Sequence, residues 1–433
     1  MSGAPTSAAG LRVAATMPAR WIPLLYFAFA HLCLGAAFAA LAFGPRSLAG
    51  FFYHPRMLAV VHLVTLGWIS ASILGAIYVV GPLAFRMPLP ARRSDYVAFG
   101  GFAIGVTGMV SHFWIDSTPG TAWATGLVAA AMTYVAVRVL AGLRTAPVPF
   151  EVRLPMALAF LNMMAAAGLG VLVAVNKVSP IVTVTHLDVV FAHAHLAALG
   201  WGTMMVVGAG YRILPMILPA ATPRGFWVYA SAVLLECGIA GLVWGFLAGG
   251  RGLAVSALLV VAGICSFFSR VVWMLRHRKP APADLRRPDW GVAHALQALA
   301  FLVAASGLGL YLAVSERSET TLSLVSAYGV LGLVGFLAQI IVGVEARVVP
   351  LFAWLWGFAD RAYAESPPSL HRVPARSLQG SAFILWTGGV PLLALGVASD
   401  RLVAVSLGGG ALCVAVLASL ANAIVVLTRL WRR

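Results

Sequence analysis

Charge is what this chain has least of: Asp, Glu, Lys and Arg together make up 10% of its 433 residues. A water-soluble domain carries roughly a quarter, so the composition excludes a soluble globular protein. Cysteine is nearly as scarce. Cys33, Cys237, Cys265 and Cys413 stand singly in apolar runs, which excludes a disulfide framework or a zinc pattern and leaves them as small core residues. No Walker loop, dinucleotide-binding glycine pattern or nucleophile elbow stands in a suitable context. The first apolar run, Trp21 to Phe43, is too long and too poorly flanked for a cleaved signal peptide.

What is abundant is hydrophobicity: 61% of the residues, with a mean hydropathy of +0.94. Stretches long enough to cross about 30 Å of hydrocarbon recur along the whole chain. They predict helices over 21–43, 55–83, 95–116, 120–142, 154–176, 186–217, 223–247, 252–276, 289–313, 321–351, 377–399 and 401–429. The fold class is therefore an all-α membrane protein of about twelve transmembrane helices.

The net charge of +16 speaks for orientation rather than nucleic acid. Arg86, Arg92 and Arg93 lie in 84–94, and Arg270, Arg276, Arg278, Lys279, Arg286 and Arg287 in 270–288. The acids Asp116, Glu316, Glu319 and Asp400 fall on the opposite side. This is the positive-inside distribution. It places both termini in the cytoplasm, the chain in a bacterial-type inner membrane, and the basic loops against anionic lipid. Residues 1–20 read as a cytoplasmic tail and 21–430 as a single transmembrane domain.

An internal repeat organises the helices. His62, Leu63, Leu66, Gly67, Trp68, Gly75, Ala76, Tyr78 and Pro82 reappear in the same order and spacing as His195, Leu196, Leu199, Gly200, Trp201, Gly208, Ala209, Tyr211 and Pro215. A weaker third copy keeps Gly335, Gly343 and Pro350 and shares Arg347 with Arg212. Each period spans four predicted helices, giving units of about 21–142, 154–276 and 289–429. Three units of equal orientation suggest a pseudo-threefold ring. Twelve-helix transporters are more often built from two halves of six, so transport is demoted.

The histidines then gain a common depth. His62 lies about seven residues into its helix, roughly 10 Å deep. His193 and His195 lie at nearly the same level on a helix running the same way, and His112 sits near the outer end of its own. Ionisable groups in a span usually face the protein interior and have a partner, and imidazole is a common ligand of heme iron and copper. Residues two apart on a helix point to different sides, so His193 and His195 address two different sites. His31, His186 and His294, taken singly, read as hydrogen-bonded core residues, and His54, His277 and His371 as solvated loop residues. Glu236 is mid-span and a candidate proton relay. Glu345 reads as locally paired with Arg347. Arg212 and Arg347 read as topology anchors, and Trp68 and Trp201 as repeat packing.

The segment AVNKVSPIVTVTHLDVVFAHAHLAALGWGTMMVVGAGYRILP (174–215) resembles the heme-bearing tenth helix of heme-copper oxidase catalytic subunits, most closely the C-type. Those carry an HxH, a Leu-Gly-Trp segment and a Gly-Ala-Tyr…Pro ending. The resemblance implies that His193 binds a high-spin heme and His195 a low-spin heme. HLVTLGW…YVVGP and GMVSHFWIDSTP look like the copper-bearing helices in circularly shifted order, which implies copper on His62 and His112. In the alternative phase His62 joins His195 as a low-spin axial ligand.

Three departures stand out. Phe113 follows His112 where a second His belongs, Val330 occupies the position matching His62 and His195, and no tyrosine stands beside the cluster in sequence. The chain is also similar to heme- and copper-binding membrane proteins of the nitric-oxide response.

These resemblances imply a b-type heme, with copper or another second metal. They imply a reaction with O2 or NO near the outer face, and a periplasmic electron donor or partner subunit. Oxidoreductase turnover is left open. The alternatives are a non-catalytic heme or copper binder serving NO tolerance, sensing or metal handling, and a twelve-helix transporter.

Overall fold

A computed structural model describes residues 17–182, 186–280, 283–359 and 368–431. Its twelve helices long and apolar enough to cross a membrane are α1 (Trp21–Phe43), α2 (Pro55–Ala84), α3 (Arg93–Trp114), α4 (Thr118–Thr145), α5 (Phe150–Val178), α6 (Leu187–Ile217), α7 (Phe226–Leu247), α8 (Leu253–Arg276), α9 (Trp290–Val314), α10 (Glu319–Phe358), α11 (Arg376–Ala398) and α12 (Leu402–Trp431). The chain is an all-α multi-pass membrane protein. In lipid a backbone must satisfy its own hydrogen bonds, and the helix does so within one segment.

The expected boundaries hold closely, with α10 and α5 longer than their apolar stretches suggest. Helix α10 continues past Pro350 to Phe358, because the following Leu351, Phe352, Ala353 and Trp354 remain apolar and the ring removes only one ladder bond. Helix α5 starts at Phe150, with Pro155 accommodated near its beginning.

Helices α2 and α10 are the most buried of the twelve. Hairpins α3–α4, α7–α8 and α11–α12 lie outside, and α4 packs on α5, α8 on α9, and α12 on α1. Small residues permit these approaches, as usual between membrane helices. A Cβ on Gly409 would meet Leu41 Cβ at 2.8 Å, and one on Gly238 the Val260 amide at 2.6 Å.

The segments aligned by the repeat are the ones that leave α-helical geometry. Leu63–Ser70 in α2, Leu196–Thr203 in α6 and Val330–Ala338 in α10 are π-helical, a geometry frequent at functional sites. Each carries a glycine against the preceding outer helix: Gly67 on Cys33, Gly200 on Asn162, Gly335 on Phe301. Two indoles then tie the central helices together. Trp68 Nε1 donates to the Ala338 carbonyl at 3.2 Å, and Trp201 Nε1 to Ser70 Oγ at 3.1 Å. Phe336 stands at the third equivalent place and has no donor.

The core-residue reading of the cysteines is corrected for two. Cys33 is buried, but Cys237 and Cys265 are exposed on α7 and α8. The outside of a membrane bundle is hydrocarbon, so a weakly polar thiol is as acceptable there as inside. Tail residues 1–16 and the side chain of His186 lie outside the described residues.

Candidate functional site

Three imidazoles are held the same way. His62 Nδ1 lies 2.7 Å from the Leu58 carbonyl, His193 Nδ1 3.0 Å from that of Ala166, and His195 Nδ1 2.8 Å from that of Phe191. A carbonyl only accepts, so Nδ1 carries the proton in each and Nε2 keeps the lone pair. Metal-binding histidines are commonly oriented by such a bond through the ring nitrogen that does not bind the metal.

His62 and His193 lie within electrostatic range of each other, and Lys177 within range of His62. His193 turns toward α5, its ring against Gly170, where a Cβ would come within 3.0 Å of Cε1. His195 turns the other way, toward α7 and α10. Its ring lies 5.0 Å from Phe246 and 5.9 Å from Tyr328, whose hydroxyl is 3.4 Å from Nε2. The pair therefore serves two sides of α6, as the spacing requires. Tyr328 is a site residue missed in sequence: it occupies the α10 position equivalent to His193, a signal available only once the weak third repeat is aligned residue by residue.

None of the three rings is fully buried, although all lie inside the bundle. The same holds along the outer part of α10, where Tyr328, Gly329, Val330, Leu331, Gly332 and Leu333 all retain accessible surface. Cβ atoms on Gly329 or Gly332 would meet nothing within 4 Å. Nearer the middle Val334, Gly335, Phe336 and Leu337 are buried. The central helices thus pack tightly in mid-span and leave accessible faces in the half nearer the starts of α2, α6 and α10.

His112 does not join this group. Phe113, its neighbour, stacks on His62 with ring centroids 5.1 Å apart. The His112 ring instead packs against Gly120, with Nδ1 buried and unpartnered. Among the described residues no three His, Cys, Asp or Glu side chains converge as a metal-holding group. At the outer rim Lys177 lies 4.8 Å over the Tyr53 ring, and burial pushes the Tyr53 phenol up to about 12. Across the same face Arg317 pairs with Asp188 at 2.6 Å, joining the loop before α10 to α6.

The mid-span acids differ. Glu236 accepts from Asn162 Nδ2 at 2.8 Å, and the same amide donates to the Gly200 carbonyl at 3.3 Å, so the carboxyl is anchored to the π segment of α6. Glu345 is not paired with Arg347, which corrects the local reading. Two residues apart on α10, they face different neighbours: Glu345 Oε2 lies 3.6 Å from His31 Nε2, while Arg347 binds Asp289 and donates to His371 Nδ1 at 3.1 Å. Arg212 closes the inner end of α2 by donating to the Ala84 carbonyl at 2.8 Å. His54 is not merely solvated: its Nδ1 accepts from the Met57 amide at the start of α2.

Compared with known proteins, the chain matches no family model and no curated protein. What the site can do is therefore argued from its own residues.

Proposed function

We propose that this membrane protein binds a b-type heme in the outer half of its helix bundle and exposes the iron to a small diatomic gas. The observation that carries the proposal is the anchoring of His62, His193 and His195 through Nδ1, which leaves the Nε2 lone pairs of His62 and His193 available and that of His195 facing the Tyr328 hydroxyl. His193 is the favoured axial ligand, with His62 on the same side of α6. His195, engaged by Tyr328, serves the other side.

On the His193 side the residues fit a porphyrin in two respects: the Phe113 ring beside His62, and a cation, Lys177, for a propionate. When bound, the heme supplies an iron able to ligate a gas or accept an electron. The chain's own part is to fix the imidazole tautomer, exclude water and hold the outer carboxylates. Under the same reading the molecule is built from three equivalent four-helix units, supported by the three π segments and the cyclic helix packing.

Copper on His62 and His112 is the less favoured extension, since Phe113 covers the His62 ring and His112 points to α4. A heme carrier for NO tolerance or sensing is accordingly preferred over a full oxidase.

An absorption spectrum with metal analysis of the purified protein tests the proposal. A Soret band lost in His193→Ala and retained in His112→Ala is the expected result. A colourless, iron-free protein after expression with heme supply overturns it.

A further inference from the structure

The side chains left over by this reading gather in one place, nearer the face that bears the basic loops. A chamber of about 40 Å³ lies between α1, α9, α10, α11 and α12, its mostly apolar wall interrupted by His31, His294, Glu345, Gln379 and Asn422. Three buried polar atoms in and beside it lack a partner: Glu345 Oε1, Trp290 Nε1 and Gln339 Oε1. Buried polar groups are almost always satisfied. A water needs roughly 10–15 Å³ of such space and two or more polar neighbours, so this chamber has room for water as the missing partner.

Glu345 and His31 form its inner wall. Both are nearly buried, at 8% and 6% exposure. His31 Nδ1 donates to the Phe27 carbonyl at 2.9 Å, so Nε2 is the atom that faces the carboxyl 3.6 Å away. A bare carboxylate against a bare lone pair would repel, so one proton lies between them. Among the described residues no other charge neutralises the pair. Arg347 is engaged by Asp289 and His371, and His294 accepts from Gln339 at 3.4 Å. Helices α2, α11 and α12 bring only the uncharged Ser72, Gln379 and Asn422.

We propose that Glu345 and His31 form a proton-binding site within the membrane, loaded from the basic face through this hydrated chamber. Loading transfers a proton from a hydronium ion in the chamber to the pair, leaving water and giving an imidazolium beside a neutral carboxyl. Unloading returns it, and a further loss leaves a carboxylate beside neutral His31. The site is separate from the outer imidazoles, and the proposal does not rest on the heme reading.

Infrared spectroscopy of the full-length protein in lipid nanodiscs tests it without reference to heme. A protonated-carboxyl C=O band that shifts when H2O is replaced by D2O is expected, lost in Glu345→Gln and displaced in His31→Gln. It should remain in Glu236→Gln. Ala423→Leu, which fills the chamber from α12, should slow the D2O shift at least several-fold. A band that persists in Glu345→Gln overturns the assignment to this residue. The absence of any exchange in the wild type overturns the hydrated route, and needs no variant to fold.

Discussion

Two side chains carry the most exacting demands at the scale of the residue. Asp95 is fully buried and bound by Arg138 through both carboxylate oxygens, with Tyr134 adding a hydroxyl at 3.2 Å. Removing one partner of a buried pair strands the other charge, at about 3–5 kcal/mol. Asp95→Ala is therefore expected to lower unfolding stability in detergent by that amount, with Asp95→Leu/Arg138→Met recovering most of it. Tyr328→Phe sits at the opposite extreme. One long hydrogen bond inside a membrane protein is worth about 0.6 kcal/mol, so the fold should be unmoved. The freed His195 Nε2 should instead raise the protein's affinity for added heme or alter its spectrum. An identical heme titration in both proteins would remove Tyr328 from the site.

At the scale of the element, the π segments place the site. Gly200 lies so close to α5 that an added Cβ would meet Asn162 Cβ at 2.8 Å. Gly200→Ala should destabilise the protein by about 1–3 kcal/mol through overpacking. It should also loosen the hold on the Glu236 carboxyl, because Asn162 bridges the two. The segments' positions were legible in the sequence as a repeated Leu-Gly-Trp, but their π geometry was not: periodicity reports which face is apolar, not which carbonyl each amide selects. The divergence of His193 and His195 followed from their spacing alone. Tyr328, and the turning away of His112, depended on the rotation of α10 and α3 about their axes, which uniformly apolar helices do not encode. For the same reason Glu345 was assigned the wrong partner, since the neighbour that counts comes from α1, far away in the chain.

At the scale of the whole molecule, the face bearing the basic loops has a pH-sensitive latch. His371 accepts from Arg347; burial, then the adjacent guanidinium, holds its imidazole below the usual range. The folded state thus favours neutral His371. Its contribution is complete above about pH 6.5 and falls as the pH drops and the unfolded chain takes up the proton first. Amide exchange in residues 369–373 should speed up on acidification in the wild type but not in His371→Gln.

The two indole hydrogen bonds have a mechanical corollary. Trp68 locks α2 to α10 and Trp201 locks α6 to α2, but Phe336 leaves the α6–α10 junction without an indole bond in mid-span, where Leu337 packs against Gly202. That junction also borders an apolar cavity of about 140 Å³ between α2, α6, α8, α9 and α10. A bundle latched on two sides breathes at the third. The same junction carries the Tyr328–His195 contact, so spreading it would uncover the His195 Nε2 that the tyrosine hydroxyl now faces.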